Sequence, residues 1–353
     1  MFIGGEFYED STWATASPAP PIADAIFLNG GRACLSVIAD YLISKKIDQI
    51  LLPAYLCPSI LDVFDQKEIR YSFYKIEEDL SIDLDELLEK ASKFQAIYFI
   101  NYYGFQQSAE TLQILKQLQA AGKLLVEDNA QSGIFSNFIG DFCFNSIRKV
   151  CGSDGGYLAT RNMFVNETWI QFSSLNNRLP LIREYRHRLR EYLFENRGTR
   201  EELDHLFYQA ERLYEQDNVI LGDPDERNMI EHLDWQSIKT ARRTNYAYLL
   251  NQISNLHGLS PLFPNLQDDI MPFGLPVYIS GGSRDALIEK LAEESISLTV
   301  HWDALLSDTR TINNSAVTNI AGKILTLPID QYTSKSQLDY LVSQIFETIK
   351  LLS

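Results

Sequence analysis

Short apolar runs alternate with amphipathic helical patterns between about residues 25 and 160, and this alternation constrains the fold most. Arg32–Lys45 places its apolar side chains on one helical face, and Ile47–Pro53 follows as a nearly all-apolar run. Buried strands that alternate with helices predict an α/β fold with a mostly parallel central sheet and right-handed crossovers. The further predicted strands are Ile69–Ile76, Ala96–Tyr102, Lys123–Glu127, Phe142–Ser146 and Gly156–Thr160.

Local signals mark the predicted helix ends. Pro58 suits the first turn of a helix, where its missing N–H costs nothing. Asp83–Ser92 reads as a short acidic helix. Ser108 is a predicted N-cap for a helix that ends before Gly122, a residue suited to the position after the last turn.

The pattern changes between residues 165 and 225, where strands stop and long helical patterns appear. Arginines cluster in this stretch of an acidic chain: Arg178, Arg183, Arg186, Arg188, Arg190, Arg197, Arg200 and Arg212. We interpret them as a solvated helix with ion pairs to nearby acids, or alternatively as a subunit contact or a lid for an anionic substrate. From Asp234, further helices and strands predict a smaller α+β region. After a first helix, its predicted elements are the strand Leu275–Ser280, the helix Ser283–Glu294, the strands Ile296–Val300 and Ile324–Pro328, and the helix Ser334–Leu351. We expect a large domain at 1–225 and a small C-terminal domain at 226–353.

The charge balance limits the class of partner. The 353 residues include 31 Lys and Arg against 47 Asp and Glu, a formal net charge of −16. A nucleic-acid partner is not expected, because no broad basic face would neutralise its phosphates. A small anion held by a few local cations remains compatible with this charge.

Cysteine usage and the N-terminal sequence predict the compartment. The four cysteines are scattered without a CxxC pair, and the five histidines show no HExxH spacing, so no metal site is expected. The first basic residue is Arg32, which gives no basic start to a signal peptide, and no apolar run is long enough to span a bilayer. We therefore expect a soluble cytoplasmic protein.

Candidate chemistry gathers after the predicted strands, where ligands of parallel sheets bind. Asn29-Gly30-Gly31-Arg32-Ala33 opens a helix, so its backbone N–H groups and helix dipole suit an anion. Asp128 ends a buried strand, and its carboxylate would need a cationic or hydrogen-bonding partner there. Lys149 follows the next strand, where a lowered pKa would suit a covalent bond to an aldehyde. The Ser153-Asp154-Gly155-Gly156 stretch reads as a tight turn.

Each of these features has a plain structural alternative: a helix start, an Asp that caps a turn, a surface lysine. Together, a phosphate cradle, a carboxylate for a pyridinium nitrogen and a lysine for an aldehyde match the requirements of pyridoxal phosphate. Asp128 and Lys149 are 21 residues apart, enough for one loop and one strand between neighbouring strand ends.

The motifs resemble those of the DegT/DnrJ/EryC1/StrS family of sugar aminotransferases, which are fold-type I enzymes that use pyridoxal phosphate. The resemblance covers nearly the whole chain in the family's order: GGEF, NGGRA, LLPAYLCPS, VEDNAQ, SIRK followed by DGG, LDW then RRTNY, and LTLPID. It implies a fold-type I architecture, with a mostly parallel sheet in the large domain and a smaller C-terminal α+β domain.

The resemblance also implies roles for individual residues. Lys149 would hold the cofactor aldehyde and act as general base, Asp128 would bind the pyridinium nitrogen, and Gln131 would lie near the ring hydroxyl. Asn228 lies in a segment that loosely resembles the one reaching into the neighbouring subunit's site. The residues implied to bind the cofactor are Gly31, Arg32, Ala33, Asp128, Gln131, Ser146, Lys149 and Asn228.

The activity implied by the resemblance is transfer of an amino group from an amino acid, with glutamate as the implied donor, to a keto sugar linked to a nucleotide. A homodimer with shared active sites and a role in sugar and polysaccharide biosynthesis are implied as well. The alternatives are a different pyridoxal phosphate reaction, such as dehydration of a sugar, or a non-catalytic binding protein. Lys149 argues against the lysine-less dehydratases of this family.

The chain departs from the family at three points. Cys57 stands where many members have an aromatic ring that stacks on the cofactor, and Asn101 stands where a histidine is common. Only two residues separate Ser146 from Lys149, fewer than in typical members. The candidate substitutes for the stacking ring are Tyr55, Tyr102 and Tyr103, and the alternative is a weaker stacking contact. Trp302 beside His301 is interpreted as a packed side chain, with a place at the mouth of the site as the alternative.

Overall fold

The computed structural model describes residues 2–161, 175–216, 219–254, 256–280, 283–311 and 314–352. The predicted helical stretch at 165–174, and residues 217–218, lie outside the described residues. The strands are β1 (Ile3–Gly4), β2 (Ile26–Leu28), β3 (Gln49–Pro53), β4 (Arg70–Tyr74), β5 (Ala96–Ile100), β6 (Leu124–Asn129), β7 (Phe142–Asn145), β8 (Gly156–Thr160), β9 (Leu259–Pro261), β10 (Leu275–Ile279), β11 (Ile296–Ser297) and β12 (Ile324–Leu327). The helices are α1 (Gly31–Ser44), α2 (Pro58–Gln66), α3 (Leu84–Ala91), α4 (Ala109–Ala120), α5 (Arg178–Glu195), α6 (Arg200–Gln216), α7 (Pro224–Glu231), α8 (Trp235–Ile253), α9 (Arg284–Glu293), α10 (Ser315–Lys323) and α11 (Lys335–Leu352).

The central sheet has the strand order β2-β8-β7-β6-β5-β3-β4. Strands β3 to β7 pair in parallel, whereas β8 is antiparallel to both β7 and β2. Every residue of β5 is buried, as expected for a strand covered by helices on both faces. The prediction of an α/β fold with a mostly parallel central sheet is therefore confirmed.

The connections of this sheet bring several chain ends to one edge. Strands β5, β6 and β7 end there because they are parallel, and β2 runs in the same direction, so the N-terminus of α1 lies at that edge too. Strand β8 runs the opposite way, and its first residue, Gly156, therefore begins at the same edge. A ligand at this edge can meet residues from five segments of the chain.

The helix-end signals agree with the structure. Pro58 is the first residue of α2, and the side chains of Asp83 and Ser108 cap α3 and α4. Gly122 follows the end of α4 with a φ of +90°, which a glycine adopts without strain.

A second, antiparallel sheet of β12, β10 and β9 forms beyond residue 258. The N-terminal strand β1 crosses to this region and pairs in parallel with β11. The pattern predicted β10, α9, β12 and α11 within a few residues, but not β1, β2 or β9, which have only two or three residues each. The domain boundary near residue 225 remains a prediction.

The arginine-rich stretch forms the helices α5 and α6, which pack on each other. Tyr185 and Leu189 lie in their shared core. Arg178 and Arg186 are buried and pair with Asp154, which lies in the turn before β8. The interpretation as a solvated helix therefore holds for the exposed arginines and is wrong for these two.

None of the helices in the described part of the chain is long and apolar enough to cross a membrane.

Candidate active site

A cavity of about 250 Å³ lies at the sheet edge where the strand ends and the N-terminus of α1 meet. We call it the strand-end cavity. Ala33 is buried in the first turn of α1, behind the lining residues, and Asn228 lies exposed on α7, away from this cavity of its own chain. The predicted site residues that line the cavity are Gly31, Arg32, Asp128, Gln131, Ser146 and Lys149.

Asp128 is a buried carboxylate with few partners. One of its oxygens accepts a hydrogen bond from the Tyr98 hydroxyl at 2.5 Å, and the other accepts from the backbone N–H of Ala130 at 2.7 Å. Burial raises the pKa of Asp128, against the opposing effects of the Tyr98 hydrogen bond and of Lys149. A cationic group in the cavity would keep this carboxylate charged.

Lys149 lies on the next strand end, in the short 3₁₀ turn Ile147–Lys149 after β7. Burial lowers the pKa of its ammonium group, and Arg148 lowers it further, against the opposing effects of Cys57 and Asp128. Among the described residues, no carboxylate lies within ion-pair distance of Lys149. An amine with a lowered pKa and no fixed ion pair can react as a nucleophile or a base.

The N-terminus of α1 offers free backbone donors to the cavity. The first helical hydrogen bond runs from the Cys34 N–H to the Gly30 carbonyl, and no side chain of the described residues caps the helix. A Cβ on Gly31 would lie only 3.5 Å from the Ser146 Cβ, so the helix start and the Ser146 hydroxyl converge on one place. Backbone N–H groups, a helix dipole and a hydroxyl together suit a phosphate group.

The turn before β8 supports this helix start. A Cβ on Gly156 would lie within 3.0 Å of both the Asn145 carbonyl and the Gly30 backbone. Gly155 has a φ of +147°, and a Cβ there would meet the Phe27 ring at 2.4 Å. Because these two glycines lack side chains, the start of β8 can pack directly against the Gly30 turn and β2. The sequence pattern predicted a tight turn here but not this packing.

The side-chain amide of Gln131 has a hydrogen-bond partner for its oxygen but none for its nitrogen among the described residues. Its Oε1 accepts a hydrogen bond from the Tyr103 backbone N–H at 2.8 Å, while its buried Nε2 has no partner among the described residues. Because Gln131 lines the cavity, this amide can donate to a ligand oxygen there.

Several lining residues were not predicted as part of the site. Glu211 and Tyr214 are two of them, and both come from α6. Tyr98 holds the Asp128 carboxylate without lining the cavity, and the sequence pattern carries a signal for it: Ile100 is opposite Asp128 in the sheet, and Tyr98, two residues earlier, lies on the same face. For Glu211 and Tyr214, no local sequence signal places them here.

The three tyrosines considered as stacking rings do not line the cavity. The Tyr102 hydroxyl donates to the Tyr55 carbonyl, and the Tyr103 hydroxyl accepts from Thr326. The aromatic side chains that do line the cavity, among the described residues, are Phe144, Tyr214 and Trp302. Trp302 lines the cavity and also packs against the Tyr55 ring, so both interpretations of this residue describe part of its position.

Asn101, which stands where the family often has a histidine, has a structural role. Its amide donates to Glu127 and to Asn129, both at 3.0 Å. Glu127 in turn accepts from the N–H groups of Ile139 and Gly140. This buried network fixes the loop after β6 beneath the cavity.

A second depression, which we call the cleft, adjoins the strand-end cavity and has a volume of about 350 Å³. It also contains buried His301, whose Nδ1 lies 3.0 Å from the Thr326 hydroxyl. The residues shared by the cleft and the cavity are Cys57, Arg148, Lys149, Glu211 and Trp302. A molecule in the cleft therefore has direct access to Lys149.

His301 makes the stability of the fold sensitive to acid. Burial and the nearby Lys149 lower its pKa from 6.5 to about 3. As the pH falls below 6.5, the unfolded chain binds a proton at this histidine while the folded chain does not, so the fold loses stability. Between pH 7.5 and pH 5, we expect the free energy of unfolding of the native protein to fall by about 2 kcal/mol more than that of His301→Gln.

Urea titrations at several pH values measure this difference. His257→Gln, which changes an exposed histidine, is the matched control and is expected to follow the native curve. Parallel pH curves for the native protein and His301→Gln would contradict the expectation.

Comparison with known proteins depends on structure, because no family model and no curated protein matches this chain. The structure is similar to Spr1654 of Streptococcus pneumoniae, a candidate sugar aminotransferase, with a TM-score of 0.71 and 16% identity over 100% of this chain and 98% of that one. The chain has the fold of sugar aminotransferases. Spr1654 has been solved in an apo form, a PLP form and a PMP form.

Two further structures with this aminotransferase fold are similar at the same level. The sugar aminotransferase CalS13 of Micromonospora echinospora has a TM-score of 0.62 and 15% identity, over 92% of this chain and 87% of that one. A DegT DnrJ EryC1 StrS aminotransferase of Brucella abortus has a TM-score of 0.61 and 16% identity, over 92% and 86%.

Proposed function

We propose that this protein is a pyridoxal phosphate-dependent aminotransferase that moves an amino group from an amino acid to a keto sugar. One observation carries the proposal: Lys149, Asp128 and the N-terminus of α1 border the same 250 Å³ cavity. A reactive lysine, a buried carboxylate and an anion-binding helix start are the three groups that this cofactor needs.

Several polar groups that line the cavity still have free hydrogen-bonding positions, and these positions match groups of the cofactor. The unpartnered Nε2 of Gln131 suits the ring hydroxyl, and the buried carboxylate of Asp128 suits the protonated ring nitrogen. Gly31, Arg32 and Ala33 supply backbone N–H groups for the phosphate, and Ser146 adds a hydroxyl.

The bound cofactor supplies an aromatic ring that withdraws electrons from the Cα of the amino acid. Asp128 strengthens this effect by holding the proton on the ring nitrogen. The Lys149 amine holds the aldehyde between reactions. The freed Lys149 amine would be the general base that takes the Cα proton of the amino acid, and the resulting ammonium would be the acid that gives this proton back, since its position fixes the geometry of both transfers.

The finer features of the proposal come from the motifs. We propose glutamate as the donor, a nucleotide-linked keto sugar as the acceptor, and a cytoplasmic homodimer in sugar and polysaccharide biosynthesis. Residues 1–225 would form the cofactor-binding domain and 226–353 the domain that closes over it, with Asn228 reaching into the partner's site.

Reduction with borohydride tests the cofactor site directly. The purified protein is mixed with pyridoxal phosphate, its visible spectrum is recorded, and the reduced peptide is mapped. We expect a new visible absorbance band and a label on Lys149. A label on another lysine, or no bound cofactor, would disprove the site.

A panel of amino acids then separates an aminotransferase from a silent binder. An effective donor should bleach the visible band as the cofactor is converted to its amine form, and a keto acceptor should restore it. If the cofactor binds at Lys149 but no amino acid changes the spectrum, the protein is a non-catalytic binder and the proposed activity is wrong.

A further inference from the structure

The two substrates of the proposed reaction differ in charge, and the ion pair of Arg148 and Glu211 beside Lys149 can accommodate both. The donor amino acid brings a carboxylate to the site, whereas a keto sugar brings a neutral ring to the same place. A guanidinium that binds the first would lie unpaired beside the second, at a considerable cost in a partly buried site. An aminotransferase with both substrates therefore needs a cation whose partner can be exchanged.

Arg148 is placed to be that cation. It precedes Lys149 in the chain and lines both the strand-end cavity and the cleft. Its guanidinium lies over the Tyr214 ring, 4.6 Å from the ring centre, and its side chain is 29% exposed. It is therefore partly shielded from water but still accessible to a molecule in the cleft.

Glu211 holds Arg148 through an ion pair that can be released. Oε1 of Glu211 lies 2.8 Å from Nη1 of Arg148 and 2.9 Å from Nη2 of Arg178. Burial works to raise the pKa of Glu211, but the two guanidiniums outweigh it and hold that pKa below its usual value. If Arg148 turned to another carboxylate, Glu211 would keep Arg178 as its partner.

Another guanidinium that lines the cleft is committed elsewhere. Arg242 donates to the carbonyls of Pro272 and Phe273 and to Oε1 of Gln331. These bonds hold the segment before β10 and the segment after β12 in place, so Arg242 is not available for a substrate without loss of structure.

We propose that Arg148 binds the carboxylate of the amino donor in exchange for Glu211, and that Glu211 returns to Arg148 when the neutral sugar ring of the acceptor lies beside Lys149. This inference depends on the proposed amino transfer and names the groups that let one site accept both substrates. A planar guanidinium matches a carboxylate through two parallel hydrogen bonds, which favours an α-amino carboxylate over a simple amine.

Two variants test the exchange. Arg148→Met removes the cation and keeps most of the side-chain volume, and we expect it to lower the kcat/KM ratio of an amino acid to its matched amine without the carboxylate by roughly 10- to 100-fold. Glu211→Gln keeps an acceptor for Arg178 but removes the competing charge. We expect it to lower the KM for the amino acid and to raise the KM for the keto sugar, each severalfold.

A binding measurement gives a readout that does not depend on turnover. Titration calorimetry with glutarate, a dicarboxylate without an amino group, should show tighter binding to Glu211→Gln and lost binding to Arg148→Met. The matched controls are Arg212→Met and Glu201→Gln, which change exposed residues on α6, and both should bind glutarate as the native protein does.

The outcomes separate this inference from the proposed function. If Arg148→Met lowers the rates with the amino acid and the amine equally, or only weakens binding of pyridoxal phosphate, Arg148 does not recognise the donor and the inference is overturned. If the native protein binds glutarate through Arg148 but reacts with no amino donor, the carboxylate site stands and the proposed amino transfer fails.

Discussion

Lys149→Ala is expected to lower the rate of amino transfer by roughly 10⁴-fold, at the upper end of what a positioned acid–base group contributes. The loss should be this large because one amine both holds the cofactor aldehyde and moves the Cα proton. No other lysine lines the strand-end cavity in the described part of the chain. Single-turnover spectra with an amino donor measure the rate directly.

The matched control is Lys116→Ala, which removes an exposed lysine from α4. It should keep the native rate and the borohydride label on Lys149. Circular dichroism of Lys149→Ala should match the native protein, because Lys149 forms no ion pair among the described residues. A folded Lys149→Ala variant with more than a few per cent of native activity would refute the assignment.

Asp128→Asn is expected to slow both half-reactions by roughly 10²–10³-fold, the usual loss when one buried electrostatic contact to a transition state is removed. The amide has nearly the same shape as the carboxylate and keeps an acceptor for the Tyr98 hydroxyl. It lacks the negative charge that keeps a proton on the ring nitrogen. Rates of the donor and acceptor half-reactions, measured separately, check this expectation.

Tyr98→Phe provides a graded comparison at the same carboxylate. It removes the 2.5 Å hydrogen bond but leaves the charge of Asp128, so the rate should fall by much less than in Asp128→Asn. The Tyr98 hydrogen bond also lowers the pKa of Asp128, so its loss should raise that pKa further. Equal losses in the two variants would contradict the expectation that the charge of Asp128 contributes more than its hydrogen bond with Tyr98.

The central sheet and much of the site follow from local sequence patterns. Buried runs such as Ala96–Ile100 alternate with helices, and parallel strands end at one edge, so Asp128, Ser146 and Lys149 had to lie near one another. Helix ends were recognisable for the same reason, since caps such as Ser108 act on backbone groups three residues away.

Asn101 and Cys57 depart from the family pattern, and only the tertiary structure showed what these two residues contact. Asn101 belongs to the buried network around Glu127, and Cys57 lines both the strand-end cavity and the cleft. The short strands β1 and β9 could not be predicted, because two or three residues show no periodicity.

The sequence by itself determined the α/β class, the central sheet and the residues that close the cavity from the strand ends, because these depend on neighbours close in the chain. Only the tertiary structure decided that Glu211 and Tyr214 of α6, and Trp302 of the C-terminal region, complete the site. Their positions depend on how α6 and the C-terminal region pack against the sheet. Such packing is set by contacts between residues that are far apart in the chain, and no local pattern encodes it.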